Sequence, residues 1–363
     1  MMSEFQIRKD NYLTNRIVDT HLSENDIGEG EVLVKIDRFA FTANNITYAV
    51  VGDQFGYWQF FPPTADDTKD WGILPVWGFA DVVASNAEGV PVGERLFGYF
   101  PPATYLAMKP THTNGLRWVD GAAHRAALPS GYNVYRRVLA EPNYNKAMDD
   151  FRMLLFPLHL TSYCLYDNLQ DNNWFGAEQV VVISASSKTS IGLGYALADD
   201  ENAPKSIGMT SERNLEMVSN LSIYNSTVTY ENLTEIDASK PTVIVDMSGN
   251  GDVLGRLHKH LGDNMKFCSN VGFTHWENGG MGPDFIQQRS EMFFAPSHIQ
   301  KRLKDWGPEV FEQKTTAFMQ STIRRSASWL KLTQLNGLDG LADVYQDVCE
   351  GKVNPEAGLI VFM

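Results

Sequence analysis

Apolar positions fall into two textures along the chain. Up to about Pro129 they come in short runs, with a Gly or Pro arriving every few residues. The run after Glu29-Gly30, EVLVKIDRFAF, alternates in part, and Val92-Gly93-Glu94-Arg95-Leu96-Phe97-Gly98 places an apolar pair between glycines, as in a strand leaving a tight turn. Such punctuation predicts a small β-barrel-like domain. From about Asp149 the texture changes. Residues 150–169 are too long for a strand and predict a helix, with Pro157 bending or interrupting it.

Five apolar runs follow at 180–184, 205–209, 226–230, 242–247 and 265–272, each trailed by a polar or helical spacer. Strands alternating with helices predict a doubly wound parallel sheet, and near-continuous hydrophobicity suits strands buried on both faces. EMFFAP at 291–296 can supply a last strand, 297–328 and 338–350 predict helices, and GLIVFM at 358–363 predicts a strand. Because a β signature returns after the α/β segment, the first domain is expected to be discontinuous. The expected division is 1–150, 151–305 as the dinucleotide-binding domain, and 306–363 returning to the first domain.

The length of 363 residues fits two domains, each with its own core. Thirty basic against forty-four acidic side chains leave a net charge of −14, which argues against nucleic acid and anionic membrane faces as partners. Cys164, Cys268 and Cys349 are too scattered for a CxxC pair or a disulfide ladder, and are expected to be buried thiols. The N-terminal residues lack an apolar signal region, and no window reaches the ~18–20 apolar residues needed to span a bilayer, so a cytoplasmic location is expected.

The candidate chemistry centres on residues 180–197, an apolar strand passing through a small-residue turn into a helix. A dinucleotide pyrophosphate suits such a turn, because small residues let the backbone approach and the helix N-terminus carries free N–H groups. Ser186, Ser187, Lys188, Thr189 and Ser190 add hydroxyls and a cation, and Gly192 is expected to let the helix pack on the strand. The end of the next strand sharpens the choice of cofactor. An acidic residue there usually binds the ribose of NAD, whereas this chain has Thr210 and Ser211 followed by Glu212 and Arg213. That favours NADPH, with its 2′-phosphate. His258 and His260, two apart in a predicted helix, are expected to be surface residues.

The order of these features resembles the medium-chain dehydrogenase/reductase superfamily, in its zinc-free quinone-reductase-like and enoyl-reductase-like branch. Glu29 to Lys35 resembles the family's GEVLV-type strand, Ala43-Asn44-Asn45-Ile46 stands in place of its Asn-Pro segment, and Gly52 resembles the glycine that follows. Leu74 to Val82 is similar to its P-x-x-x-G-x-x-x-x-V stretch, Val92 to Gly98 to its G-D-x-V-x-G strand, and Leu160-Thr161-Ser162-Tyr163 to its L-T-A-Y helix entrance. Glu350 to Lys352 with Gly358 to Val361 resembles its closing helix and strand. The resemblance implies a Rossmann-type sheet plus a GroES-like β-rich domain, a homodimer, and NADPH-dependent reduction of an activated C=C or a carbonyl in a small-molecule substrate. It adds Thr161 to the cofactor contacts and makes Tyr57, Tyr48 and Asn44 the candidate catalytic residues. The departures are a lengthened phosphate turn, with Ser190 in place of a glycine, and no set of zinc ligands. The irregular turn keeps open the alternative of a non-catalytic nucleotide-binding or scaffold protein with this fold.

Overall fold

The computed structural model describes residues 2–23, 26–64, 69–272 and 284–363. The chain divides into two compact units, one made of Met1–Phe156 with Ala327–Met363 and the other of Pro157–Ser326. The return to the first unit thus begins at Ala327, where the sequence pattern placed it at 306.

In the first unit, β1 (Met2–Arg8) and β2 (Asn15–Thr20) form a hairpin, followed by β3 (Val32–Phe41), α1 (Ala43–Val50), β4 (Trp71–Gly72) and β5 (Val76–Ser85). After them come β6 (Arg95–Phe100), β7 (Tyr105–Met108), β8 (Pro110–Thr111), β9 (Arg117–Asp120) and β10 (Val134–Arg137). The next helix, α2 (Asp149–Asp171), runs without a break through Pro157, and the division between units falls inside it.

The second unit has β11 (Gln179–Ile183), α3 (Lys188–Asp199), β12 (Lys205–Thr210), α4 (Glu212–Asn220), β13 (Ser226–Thr229), β14 (Thr242–Asp246), α5 (Gly251–Leu261) and β15 (Met265–Asn270). It closes with β16 (Ser290–Met292), α6 (Ala295–Trp306) and α7 (Pro308–Ser326). The single helix expected over 297–328 is therefore two. Gly307, at φ +81°, ends the first, and Pro308 opens the second, where its missing N–H costs nothing. Back in the first unit lie β17 (Lys331–Asn336), which the sequence pattern did not predict, α8 (Gly337–Cys349) and β18 (Ala357–Phe362).

Among the described residues the strands make three sheets. β2-β1-β4 is a small one; β17-β18-β3-β5-β6-β10-β9-β8, with β7 also on β3, is the large sheet of the first unit. Its register explains the discontinuity, because Leu359 to Phe362 of β18 pair antiparallel with Phe41 to Arg38 of β3. In the second unit the order is β13-β12-β11-β14-β15-β16, all parallel, the arrangement of a doubly wound dinucleotide-binding sheet. Residues of β11 and β14 are buried throughout. Alternation sends Val181, Ile183 and Ile244 to one face, against Leu254 and Leu257 of α5. Val180, Val182 and Val243 go to the other, against Leu165 of α2 and Leu193 of α3. No described helix is long and apolar enough to cross a membrane.

Three local expectations are corrected. Gly192 packs against α2 rather than the strand, since a Cβ there would stand 2.5 Å from Ser162 Oγ and 2.7 Å from His159 Cδ2. His258 is fully buried, with Nδ1 accepting from the Ile286 N–H and its ring stacked on Phe285, so it is no surface residue. Burial there lowers its pKa to about 4. Cys164 and Cys268 are buried thiols, but Cys349 is partly exposed.

Candidate functional site

In the first unit the site is built from α1 outward. Asn45 ties the helix down, its Oδ1 accepting from the Thr42 N–H at 2.8 Å and its Nδ2 donating to the Pro75 carbonyl at 2.8 Å. Asn44 and Tyr48, one turn apart, share another face, and Asn44 Nδ2 donates to the Tyr48 hydroxyl at 2.7 Å. The Tyr48 ring stacks on Tyr57 at 4.3 Å, and the Tyr57 hydroxyl lies 3.2 Å from that of Tyr132. Tyr99 meets Tyr48 edge-on at 6.1 Å and Tyr132 at 4.7 Å, while Trp77 packs on both Tyr99 and Tyr132.

The predicted Asn44, Tyr48 and Tyr57 are therefore together, in a group that also includes Tyr99, Tyr132 and Trp77. Those three were missed because they lie on distant strands and a short turn; only the β5–β6 register, which sets Trp77 opposite Tyr99, brings the first two face to face. Burial raises all four phenols above their usual 10, so they stay neutral and can act as hydrogen donors. Trp77 Nε1 and the Tyr99 hydroxyl are buried beside the Tyr48 hydroxyl. The cluster is an apolar-walled, uncharged set of donors, suited to a neutral oxygen acceptor.

In the second unit the turn after β11 reverses at Ser184, at φ +62°. Ser187 caps α3, its Oγ accepting from the Ser190 N–H at 3.1 Å and its hydroxyl donating to Ser190 Oγ at 2.9 Å. Ser187 and Ser190 thus shape the turn, and Ser190 is fully buried. Three carbonyls of this segment accept from side-chain hydroxyls of the same unit. Ser162 of α2 donates to the Thr189 carbonyl at 2.7 Å, and the Tyr224 hydroxyl serves those of Ser190 at 2.9 Å and Ala185 at 3.3 Å. With these oxygens occupied, the turn favours an anion.

Lys188 opens α3, and burial lowers its ammonium pKa from 10.5 to about 8. Thr161 lies one turn into the second unit's part of α2, its hydroxyl donating to the Pro157 carbonyl at 2.9 Å. At the strand end, Thr210 Oγ1 donates to Ser186 Oγ at 3.4 Å. Ser211 sits at the N-cap of α4 yet makes no side-chain capping bond, and exposed Glu212 and Arg213 follow it. Ser186 and Thr210 therefore meet where β11 and β12 end side by side, and Ser211 and Arg213 follow Thr210 along the chain. Asn214, which the sequence reading did not select, joins them by donating to Ser186 Oγ at 3.1 Å. Among the described residues no group of three or more His, Cys, Asp or Glu side chains is placed to hold a metal ion.

A family model described as "Protein of unknown function (DUF2855)" matches residues 39–354, which take in most of both units. The chain belongs to that family. No curated protein matches this DUF2855 member in sequence. Solved structures do match it in fold. CurA from Vibrio vulnificus, in complex with NADPH, is similar with a TM-score of 0.62 at 12% identity, over 99% of each chain. A mycobacterial protein complexed with NADPH gives 0.61 at 12% identity, over 100% of this chain and 100% of the other. A mutant enoyl thioester reductase from Candida tropicalis gives 0.56 at 11% identity, also over 100% of both. The DUF2855 chain thus has the fold of the medium-chain dehydrogenase/reductases, a Rossmann-type unit with a GroES-like one.

Proposed function

We propose that the protein is a zinc-independent, NADPH-dependent oxidoreductase that reduces an activated C=C or a carbonyl, in a substrate of the quinone, enone or enoyl thioester class. The observation that carries this reading is the end of β12. There Thr210 and Ser211 stand where a carboxylate would hold the ribose of NAD, Arg213 follows, and the neighbouring turn has its carbonyls engaged from within. The NADPH found with two proteins of the same fold supports the same cofactor here. When bound, NADPH supplies the hydride.

This chain's residues do the rest. The turn from Ser187 to Ser190, with Lys188, receives the pyrophosphate; Ser186, Thr210, Ser211 and Arg213 receive the adenosine ribose and its phosphate. In the first unit, the Tyr57 or Tyr48 hydroxyl delivers a proton to the reduced substrate, with Asn44 orienting Tyr48. The reading of zinc independence is supported by the sequence, in which no Cys/His/Glu set resembles the family's zinc ligands.

NADPH fluorescence on titration with the protein tests the cofactor, and NADPH consumption with quinones, enones and enoyl thioesters tests the reaction. Binding with turnover of one class is the expected result. Absence of NADPH binding refutes the reading, and tight binding with no turnover of any class favours the non-catalytic alternative.

A further inference from the structure

The first turn of α4 carries residues of a capping box that do not cap. In such a box the N-cap hydroxyl serves the N3 backbone N–H, and the N3 side chain reaches back to the N-cap. Here the N-cap is Ser211, whose side chain makes no capping bond. Asn214 stands at N3, its N–H bonded to the Ser211 carbonyl at 3.0 Å. Its side chain leaves the helix and crosses to the turn after β11, where Nδ2 donates to Ser186 Oγ at 3.1 Å.

Thr210 Oγ1 donates to the same oxygen at 3.4 Å. A hydroxyl oxygen has two lone pairs and one hydrogen. With both lone pairs taken, the Ser186 hydrogen is left for a third partner, which has to be an acceptor. Phosphate oxygens are acceptors, and Ser186 lies beside Thr210, at the strand end that meets the adenosine ribose in this kind of sheet.

From this juxtaposition we infer that Asn214 is a positioning residue for cofactor choice: by donating to Ser186 Oγ, it holds that hydroxyl as an obligate donor toward the 2′-phosphate of NADPH. The inference rests on the reading of this turn as the dinucleotide site. An amide is needed because a carboxylate at 214 would accept the Ser186 hydrogen, turning the hydroxyl away and setting a negative charge near the phosphate.

The test measures dissociation constants of NADPH and NADH by fluorescence for wild type, Asn214→Ala, Asn214→Asp, Ser186→Ala and the double variant Ser186→Ala/Asn214→Ala. Circular dichroism melting verifies that each is folded. Asn214→Asp is expected to weaken NADPH by about tenfold or more while changing NADH much less, as for loss of a charge-assisted hydrogen bond. In the Ser186→Ala background, Asn214→Ala is expected to add nothing, because Asn214 acts through Ser186.

Two results overturn the inference alone: wild type preferring NADPH with a preference ratio that Asn214→Asp leaves unchanged, or independent, additive losses from Ser186→Ala and Asn214→Ala. If wild type binds neither dinucleotide, the dinucleotide reading falls and the positioning role with it. Equal weakening of both cofactors by Asn214→Ala, with lowered melting temperature, marks a purely structural role and also overturns it.

Discussion

Tyr48 and Tyr57 differ in what occupies their oxygens. Tyr48 accepts an amide hydrogen from Asn44, which frees its own proton for another acceptor, while the hydroxyl of Tyr57 shares one hydrogen bond with that of Tyr132. Burial keeps both neutral, so each is a donor throughout the ordinary pH range. With a substrate in hand, Tyr→Phe at the residue that donates is expected to lower turnover by ~10²–10⁴ and leave NADPH affinity nearly unchanged. Normal turnover by both variants would remove the tyrosines from the mechanism.

Lys188 makes a separate statement about pH. Its folded-state pKa of about 8 means that the cation is present below that pH and lost above it. Affinity for both NADPH and NADH is therefore expected to be flat near pH ~6–7 and to weaken as the pH rises toward ~9, the direction of losing a positive charge beside a phosphate. In Lys188→Arg, charged throughout, the dependence should vanish. A wild-type dissociation constant that does not move with pH would show that Lys188 does not meet the phosphates.

At the scale of elements, the phosphate turn depends on how closely α3 approaches α2. Ser162 reaches the Thr189 carbonyl only because position 192 has no side chain; an added methyl would stand 2.5 Å from Ser162 Oγ. Gly192→Ala is expected to cost ~1–3 kcal/mol of stability, the usual range for overpacking, and to weaken dinucleotide binding by pushing Ser162 off the turn. Urea denaturation with a parallel NADPH titration measures both. Unchanged stability would mean that the helices part without cost. The sequence pattern had already singled out Gly192 by its place in the turn, but the partner was wrong, because nothing local says which element a glycine faces. The break between α6 and α7 was different. Gly307-Pro308 is a stop and a start signal readable from sequence alone.

At the scale of the whole molecule, β16 is, among the described residues, one edge of the parallel sheet, three residues long, Ser290–Met292. An edge leaves backbone groups unpaired, and pairing with a second copy is one way to close it. A homodimer is therefore expected, and light scattering at micromolar concentration decides it. A monomer would show that the shortness of β16 suffices to protect the edge.

Legible in the sequence were those features set by local periodicity and by residue type at fixed places along the chain. The parallel strands announced themselves as apolar runs, most plainly β11 and β14, which are buried throughout because both faces of the sheet are covered there, by α5 on one side and α2 with α3 on the other. The polar turn after β11 and the Thr210-Ser211 strand end followed from their distance to those strands. The return of the C-terminal strand to the first domain was also visible as a recurring β texture. Tertiary structure alone decided what meets across long separations. Trp77 comes to lie opposite Tyr99 through strand register, Tyr132 reaches Tyr57 from 75 residues away, and Asn214 reaches Ser186 across two strand ends. These contacts follow from pairing and packing between segments whose own patterns name no partner, so no reading of one segment at a time could have found them.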